Sequence, residues 1–155
     1  MDLFLSTYVQ KVDRKGRVSV PATFRSSLAR QEDPHAIVIF PSMKFTALEG
    51  GGVDRITEMN KRLEQLDQFS EEYENLTMLF ADMYHLAIDP EGRVVLPEAL
   101  KQHARIGEEA AFVGLGAMFQ IWEPNRFADH RAAIRERALQ QRTTLPAAGN
   151  RRRPE

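Results

Sequence analysis

The 155-residue chain contains no cysteine. Disulfides, thiol catalysis and thiolate metal sites are excluded together, a disulfide-stabilised secreted scaffold is disfavoured, and a reducing cytoplasm is the expected compartment. Long apolar runs are missing too: nothing approaches the roughly 18 residues that a membrane helix needs. The opening Met1-Asp2-Leu3-Phe4-Leu5 has neither a basic region nor a long apolar one, so neither a signal peptide nor a membrane span is expected. Nor is there an excess of one sign of charge: 21 Lys+Arg face 22 Asp+Glu, for a formal net charge of -1. That balance rules out a polycation coating nucleic acid, and equally a polyacid. What is left is an ordinary soluble composition, 43% hydrophobic and 28% charged, long enough for one full domain or two small ones.

The near-zero total hides a sorted distribution. Residues 1–31 hold six basic side chains (Lys11, Arg14, Lys15, Arg17, Arg25, Arg30) against Asp2 and Asp13, a balance of +4. Residues 53–80 and 81–124 each carry three basic against seven acidic groups, -4 apiece. The tail, 125–155, returns to +5 with eight arginines against Asp129, Glu136 and Glu155. Charge sorted in this way speaks of electrostatic partners rather than of fold.

An internal repeat organises the chain. Residues 7–21, TYVQKVDRKGRVSVP, align without gaps to residues 83–97, MYHLAIDPEGRVVLP, and six positions are identical: Tyr8/Tyr84, Asp13/Asp89, Gly16/Gly92, Arg17/Arg93, Val18/Val94 and Pro21/Pro97. Similarity resumes with Phe45–Glu49 against Phe119–Glu123, which makes a duplicated unit of about 45 residues. In each copy two short β-branched runs flank a glycine-bearing turn, a hairpin signal in which Gly16 and Gly92 are free to take positive φ. Pro21 and Pro97 suit a first helical turn, so a short helix follows each hairpin. Two strands come next: Ala36–Phe40 with Phe45–Glu49, and Ala111–Leu115 with Phe119–Glu123.

Gly50-Gly51-Gly52 reads as flexible punctuation closing the first unit. Beyond it Val53, Ile56, Met59, Leu63 and Leu66 recur at helical spacing, as do Tyr73, Leu76, Phe80 and Met83 after Ser70, a plausible N-cap. A last helix is expected from Pro124 to about Arg142, followed by disorder over 143–155. The fold class is therefore α+β. Its parts are repeat one at 5–51, a helical connector at 52–80, repeat two at 81–124, a C-terminal helix at 125–142 and an Arg-rich tail. The tail arginines 151–153 are read as solubilising, with a small electrostatic contribution.

The four histidines form no metal-ligand spacing, and no Walker sequence or nucleophile elbow is present. No catalytic residue, metal ligand or cofactor is assigned, and an enzyme is not expected. The chemistry lies in the turns, which share the form Asp-x-x-x-Arg. Asp13, Gly16, Asp89 and Gly92 are assigned to turn geometry, each aspartate accepting backbone N–H bonds while the arginine closes the base. Lys11, Arg14, Lys15 and Arg17 are assigned to DNA phosphates and base edges. The first tip sums to +3 over residues 11–17 and the second to -1 over 87–93. The first is thus expected to touch DNA and the second chiefly to hold shape.

The two stretches Val12-Asp13-Arg14-Lys15-Gly16-Arg17-Val18-Ser19-Val20-Pro21 and Ile88-Asp89-Pro90-Glu91-Gly92-Arg93-Val94-Val95-Leu96-Pro97 resemble the MraZ family. These are bacterial transcriptional regulators of the division and cell wall gene cluster, and their halves belong to the SpoVT/AbrB group of swapped-hairpin DNA-binding domains. The resemblance covers approximately residues 1–140. It implies an intramolecular pseudo-dimer of two swapped hairpins, a ring-shaped homo-oligomer, and binding to promoter direct repeats of double-stranded DNA at the nucleoid. It also implies that the Asp-x-x-x-Arg turns face DNA, which adds Arg93 to the candidate contacts. Pro90 and Glu91 depart from a basic tip. The alternative is an antitoxin-like protein-binding module of the same fold, which would call for apolar anchors in the tail, where only Leu145 and Pro146 stand.

Overall fold

The computed structural model describes residues 3–146. The turn residues and prolines act as the local chemistry requires. In repeat one, β1 (Thr7–Lys11) and β2 (Arg17–Ser19) flank Gly16, and Pro21 with ψ 139° sets the entry to α1 (Ala22–Leu28). In repeat two, β5 (Tyr84–Ala87), β6 (Arg93–Val95), Pro97 with ψ 144° and α4 (Glu98–Ala104) follow the same order. Each copy closes with two more strands, β3 (Ala36–Pro41) and β4 (Leu48–Gly51), then β7 (Glu109–Gly114) and β8 (Phe119–Trp122). The connector forms α2 (Val53–Leu63) and α3 (Glu71–Ala81), and the Ser70 hydroxyl caps α3 by accepting the Tyr73 N–H at 3.1 Å.

The local hairpin expected from β1 and β2 does not form as a ladder. The two segments pair only at an isolated bridge, Val12 to Val18, just beyond the end of β1. Instead β1 pairs antiparallel with β7 of the other repeat, β5 pairs with β3, and β2 pairs with β6. A two-stranded hairpin alone is marginal in water; exchanging strands places each against a sheet with a buried face. The result is the swapped arrangement, a six-stranded sheet in the order β1-β7-β8-β4-β3-β5 beside the two-stranded β2-β6 sheet.

The pairing is symmetric about two points. Val18 lies opposite Val94 in one sheet and Glu49 opposite Gln120 in the other. This register corrects the second half of the repeat alignment: Leu48 and Phe119, not Phe45 and Phe119, occupy equivalent places. Each is the first residue of its strand, paired with Pro41 and Gly114 respectively. The β3–β4 loop, 42–47, is longer than its counterpart, 115–118, so matching the aromatic residues by sequence slips the register.

Gly50 and Gly51 are likewise not a flexible linker but buried members of β4. A Cβ on Gly50 would lie 2.8 Å from Cε1 of Phe119, and one on Gly51 2.8 Å from Sδ of Met118. Gly50→Ala is therefore expected to destabilise the fold by about 1–3 kcal/mol through overpacking, read as a lower urea midpoint.

The core gathers Phe4, Phe24, Phe112 and Phe119 in edge and tilted contacts with centroids 5.1–6.2 Å apart, joined by Ile37, Ile39, Leu48, Leu100 and Ile121. All of Ala36–Phe40 is buried, because α2 and α3 contact β3. The chain divides after Pro124. Helix α5 (Pro124–Gln141) has no buried residue, and Arg131 lies 4.9 Å from the centroid of the Phe127 ring. Among the described residues no helix is long and apolar enough to cross a membrane. The tail expected to be disordered, with Arg151, Arg152 and Arg153, lies mostly outside the described residues.

Candidate nucleic-acid interface

Asp13 organises the first turn from one end. Its Oδ1 accepts the backbone N–H groups of Lys15 and Arg17, each at 2.9 Å, and its Oδ2 accepts the Arg17 Nε–H at 2.6 Å. The backbone closes the turn as the Gly16 N–H donates to the Asp13 carbonyl and the Asp13 N–H to the Arg17 carbonyl, both at 3.0 Å. Asp89 repeats this with Glu91 and Arg93: the two backbone bonds to Oδ1 measure 2.9 Å, and Arg93 Nε–H reaches Oδ2 at 3.3 Å. The spacing follows from these bonds, since one carboxylate must reach residues two and four positions on.

Both carboxylates are held below the usual aspartate range. The leading cause is the backbone N–H of Arg17 for Asp13 and of Arg93 for Asp89, aided by the arginine side chains and the second N–H of each turn. Hydrogen bonds to the charged form favour it. A depressed carboxylate contributes stability that is present above its unfolded value, about 3.9, and lost as pH falls through the folded value. Urea unfolding between pH 6 and pH 3 should therefore show a steeper loss of stability for the wild type than for the Asp13→Asn, Asp89→Asn double variant. Equal slopes would remove the turns from the acid response.

The turns also hold one another. Gly16 and Gly92 both have φ of 83°, a conformation that costs a glycine little. The Gly16 carbonyl accepts the Leu96 N–H at 2.8 Å, and the Gly92 carbonyl accepts the Val20 N–H at 2.9 Å. A Cβ on Gly16 would sit 2.9 Å from the Leu96 carbonyl oxygen, while Arg25 covers Gly92 and donates Nε–H to the Val20 carbonyl at 3.2 Å. The β2–β6 sheet and these reciprocal bonds fix the two tips on one surface.

Electrostatically the tips differ. Lys11, Arg14 and Lys15 are exposed, and among the described residues the Arg17 guanidinium pairs with one carboxylate, Asp13. Arg93 has two, Asp89 at 3.3 Å and Glu91 at 2.9 Å. An open groove of about 1180 Å³ runs beside the first tip and brings together Lys11, Arg14, Arg17, Arg93, Lys101 and Arg105. Lys15 is not part of its lining. Asp13, Glu108, Glu109 and Glu123 also line it, so the groove alternates sign rather than being uniformly basic.

Nothing in the sequence assigned Lys101 and Arg105 to the first tip, because they sit in the acidic half, 84 and 88 residues beyond Arg17. Only the cross-repeat pairing places α4 beside the first turn. Arg105 closes α4 in the left-handed conformation, φ 54°, unusual for a residue with a Cβ. Among the described residues no group of three His, Asp or Glu side chains could hold a metal ion.

Strand exchange and twin Asp-x-x-x-Arg turns define a two-repeat, swapped-hairpin protein. Residues 79–146 match the family model described as "MraZ protein, putative antitoxin-like". The transcriptional regulator MraZ of Rickettsia akari (strain Hartford) is 41% identical over 146 residues, covering 94% of this chain and 97% of that protein. The transcriptional regulator MraZ of Gluconobacter oxydans (strain 621H) is 42% identical over 158 residues, covering 97% and 96%. The chain belongs to the MraZ family.

Proposed function

We infer that this chain is a sequence-specific regulator of transcription that binds double-stranded DNA through its first hairpin tip. One observation carries the reading: exposed Lys11, Arg14 and Lys15, together with Arg17, project from a turn whose backbone is locked at both ends. A rigid basic tip loses little conformational entropy on binding, so its charge-assisted bonds to phosphate are retained as affinity. Asp13 holds Arg17 by Nε, which leaves the outer guanidinium nitrogens to read a base edge in two-point fashion. Arg93 contributes less, since Asp89 and Glu91 already neutralise it.

Residues 5–51 and 81–124 serve as the two repeats, with 52–80 as connector and 125–142 as C-terminal helix. One tip binds weakly, and a ring of chains on promoter direct repeats spaced near one helical turn, about 34 Å, supplies avidity. The family resemblance points to the division and cell wall gene cluster as target and the nucleoid as the place of action.

A salt titration on duplexes carrying one and several repeats tests this. Three phosphate contacts per tip, from Lys11, Arg14 and Lys15, predict a log–log slope of about -2.7 per engaged chain, steepening with repeat number. Binding indifferent to salt and to repeat number would overturn it. Stable capture of a protein partner without DNA affinity would favour the antitoxin-like alternative instead.

A further inference from the structure

Helix α3 carries Tyr73, Leu76, Met78, Leu79 and Phe80 within eleven residues, yet buries none of them. Just before it Phe69 is 88% exposed. Between α2 and α3 lies an apolar cleft of about 260 Å³ lined by Met59, Leu63, Leu66, Leu76, Leu79 and Phe80, with Arg62 and Glu72 at its polar edge. An apolar helix face left open marks an interaction site. The volume falls below the about 300–1,000 Å³ of small-molecule sites, a size suited to side chains of a protein partner.

Charge identifies the partner. Helix α3 has three glutamates, Glu71, Glu72 and Glu74, and no basic residue. Helix α5 has the opposite balance, four arginines against Asp129 and Glu136, and its second half sets Arg135 and Arg137, followed by Arg142, beside Ile134 and a 79% exposed Leu139. Taken separately, neither helix has a buried residue, and the two carry opposite charge.

We propose that the α2–α3 cleft seats α5 of a second copy of this chain, apolar side chains entering the cleft and arginines facing the α3 glutamates. This is a helix-in-groove contact. Because donor and acceptor surfaces differ, it is head-to-tail, the kind that closes into rings; the inference rests on the oligomeric reading above and supplies its contact surface.

Light-scattering mass measurements on the full chain decide it. The wild type should run as an assembly, and Arg135→Glu with Arg137→Glu should raise its dissociation constant by about tenfold or more. Adding Glu71→Arg and Glu72→Arg should restore the assembly, a rescue that misfolding cannot produce. Leu139→Glu, at an exposed position, should also shift the mass downward without lowering the urea midpoint. A monomeric wild type, or charge-reversed variants that keep the wild-type mass, would overturn the proposal. Binding to a single-repeat duplex, measured on the same variants, reports separately on the DNA reading: unchanged affinity in a dissociated variant leaves that reading standing, and an assembly of the proposed kind without DNA affinity removes it alone.

Discussion

Arg14→Ala combined with Lys15→Ala is expected to lower affinity for promoter repeats by about tenfold or more per engaged tip. It should also reduce the salt slope by about 2. Both side chains are exposed at the first tip and Arg14 lines the groove. The bond that Lys15 makes to Asp13 comes from its backbone N–H, which alanine keeps, so the turn survives the change. Stability should therefore move by no more than about 0.5 kcal/mol, as for other exposed sites away from caps and networks. In an assembly that engages several repeats, the losses multiply across tips.

The corresponding change at the second tip, Glu91→Ala, should have the opposite sign. It frees Arg93 Nη2 from a 2.9 Å ion pair and removes a negative charge near the phosphates. Fluorescence anisotropy over a salt series measures both effects. Equal losses from the two tips would refute the division of labour between them.

Phe24→Ala is expected to cost about 3–5 kcal/mol of unfolding free energy, a large part of the about 5–15 kcal/mol available to a typical domain. Phe24 is fully buried on α1. Its ring meets Phe4 at 5.2 Å and Tyr8 at 5.8 Å, and then Phe119 at 5.4 Å and Phe112 at 6.1 Å. The last two belong to the other repeat. Truncation therefore opens a cavity at the junction between repeats rather than inside one of them. Because β1 and β5 are exchanged, neither repeat retains a complete sheet on its own, and urea unfolding of residues 3–124 should stay a single transition at a lower midpoint. Two separated transitions would show that the repeats are independent.

Much of this was legible in the chain before any coordinates. The Asp-x-x-x-Arg turns depend on bonds between residues two to four positions apart, and Asp13, Gly16, Asp89 and Gly92 take the geometry their spacing implies. Pro21, Pro97 and Ser70 mark helix starts for equally local reasons. The basic character of the first tip and the net negative charge of the second were visible in the charge count.

Strand partners were not legible in this way. The run Tyr8 to Val12 announces a strand without naming its mate, and adjacency suggested Arg17–Val20 where the fold supplies Glu109–Gly114. Gly50 and Gly51 looked like a linker because nothing nearby in sequence reveals that Phe119 and Met118 occupy the space of their missing side chains. The same ladder moved the match for Phe119 from Phe45 to Leu48. Lys101 and Arg105 joined the groove for the same reason, carried there on α4 by strands paired across the repeats.

The amino-acid sequence by itself determined the duplicated unit, its two turns and the sign of charge at each tip, because hydrogen bonds and dihedral preferences over a few residues settle those. Tertiary structure alone decided which strands pair, which glycines are packed rather than free, and which distant cations share one groove. Those outcomes depend on burying apolar faces contributed by residues some hundred positions apart, and such burial is a property of the closed core rather than of any segment within it.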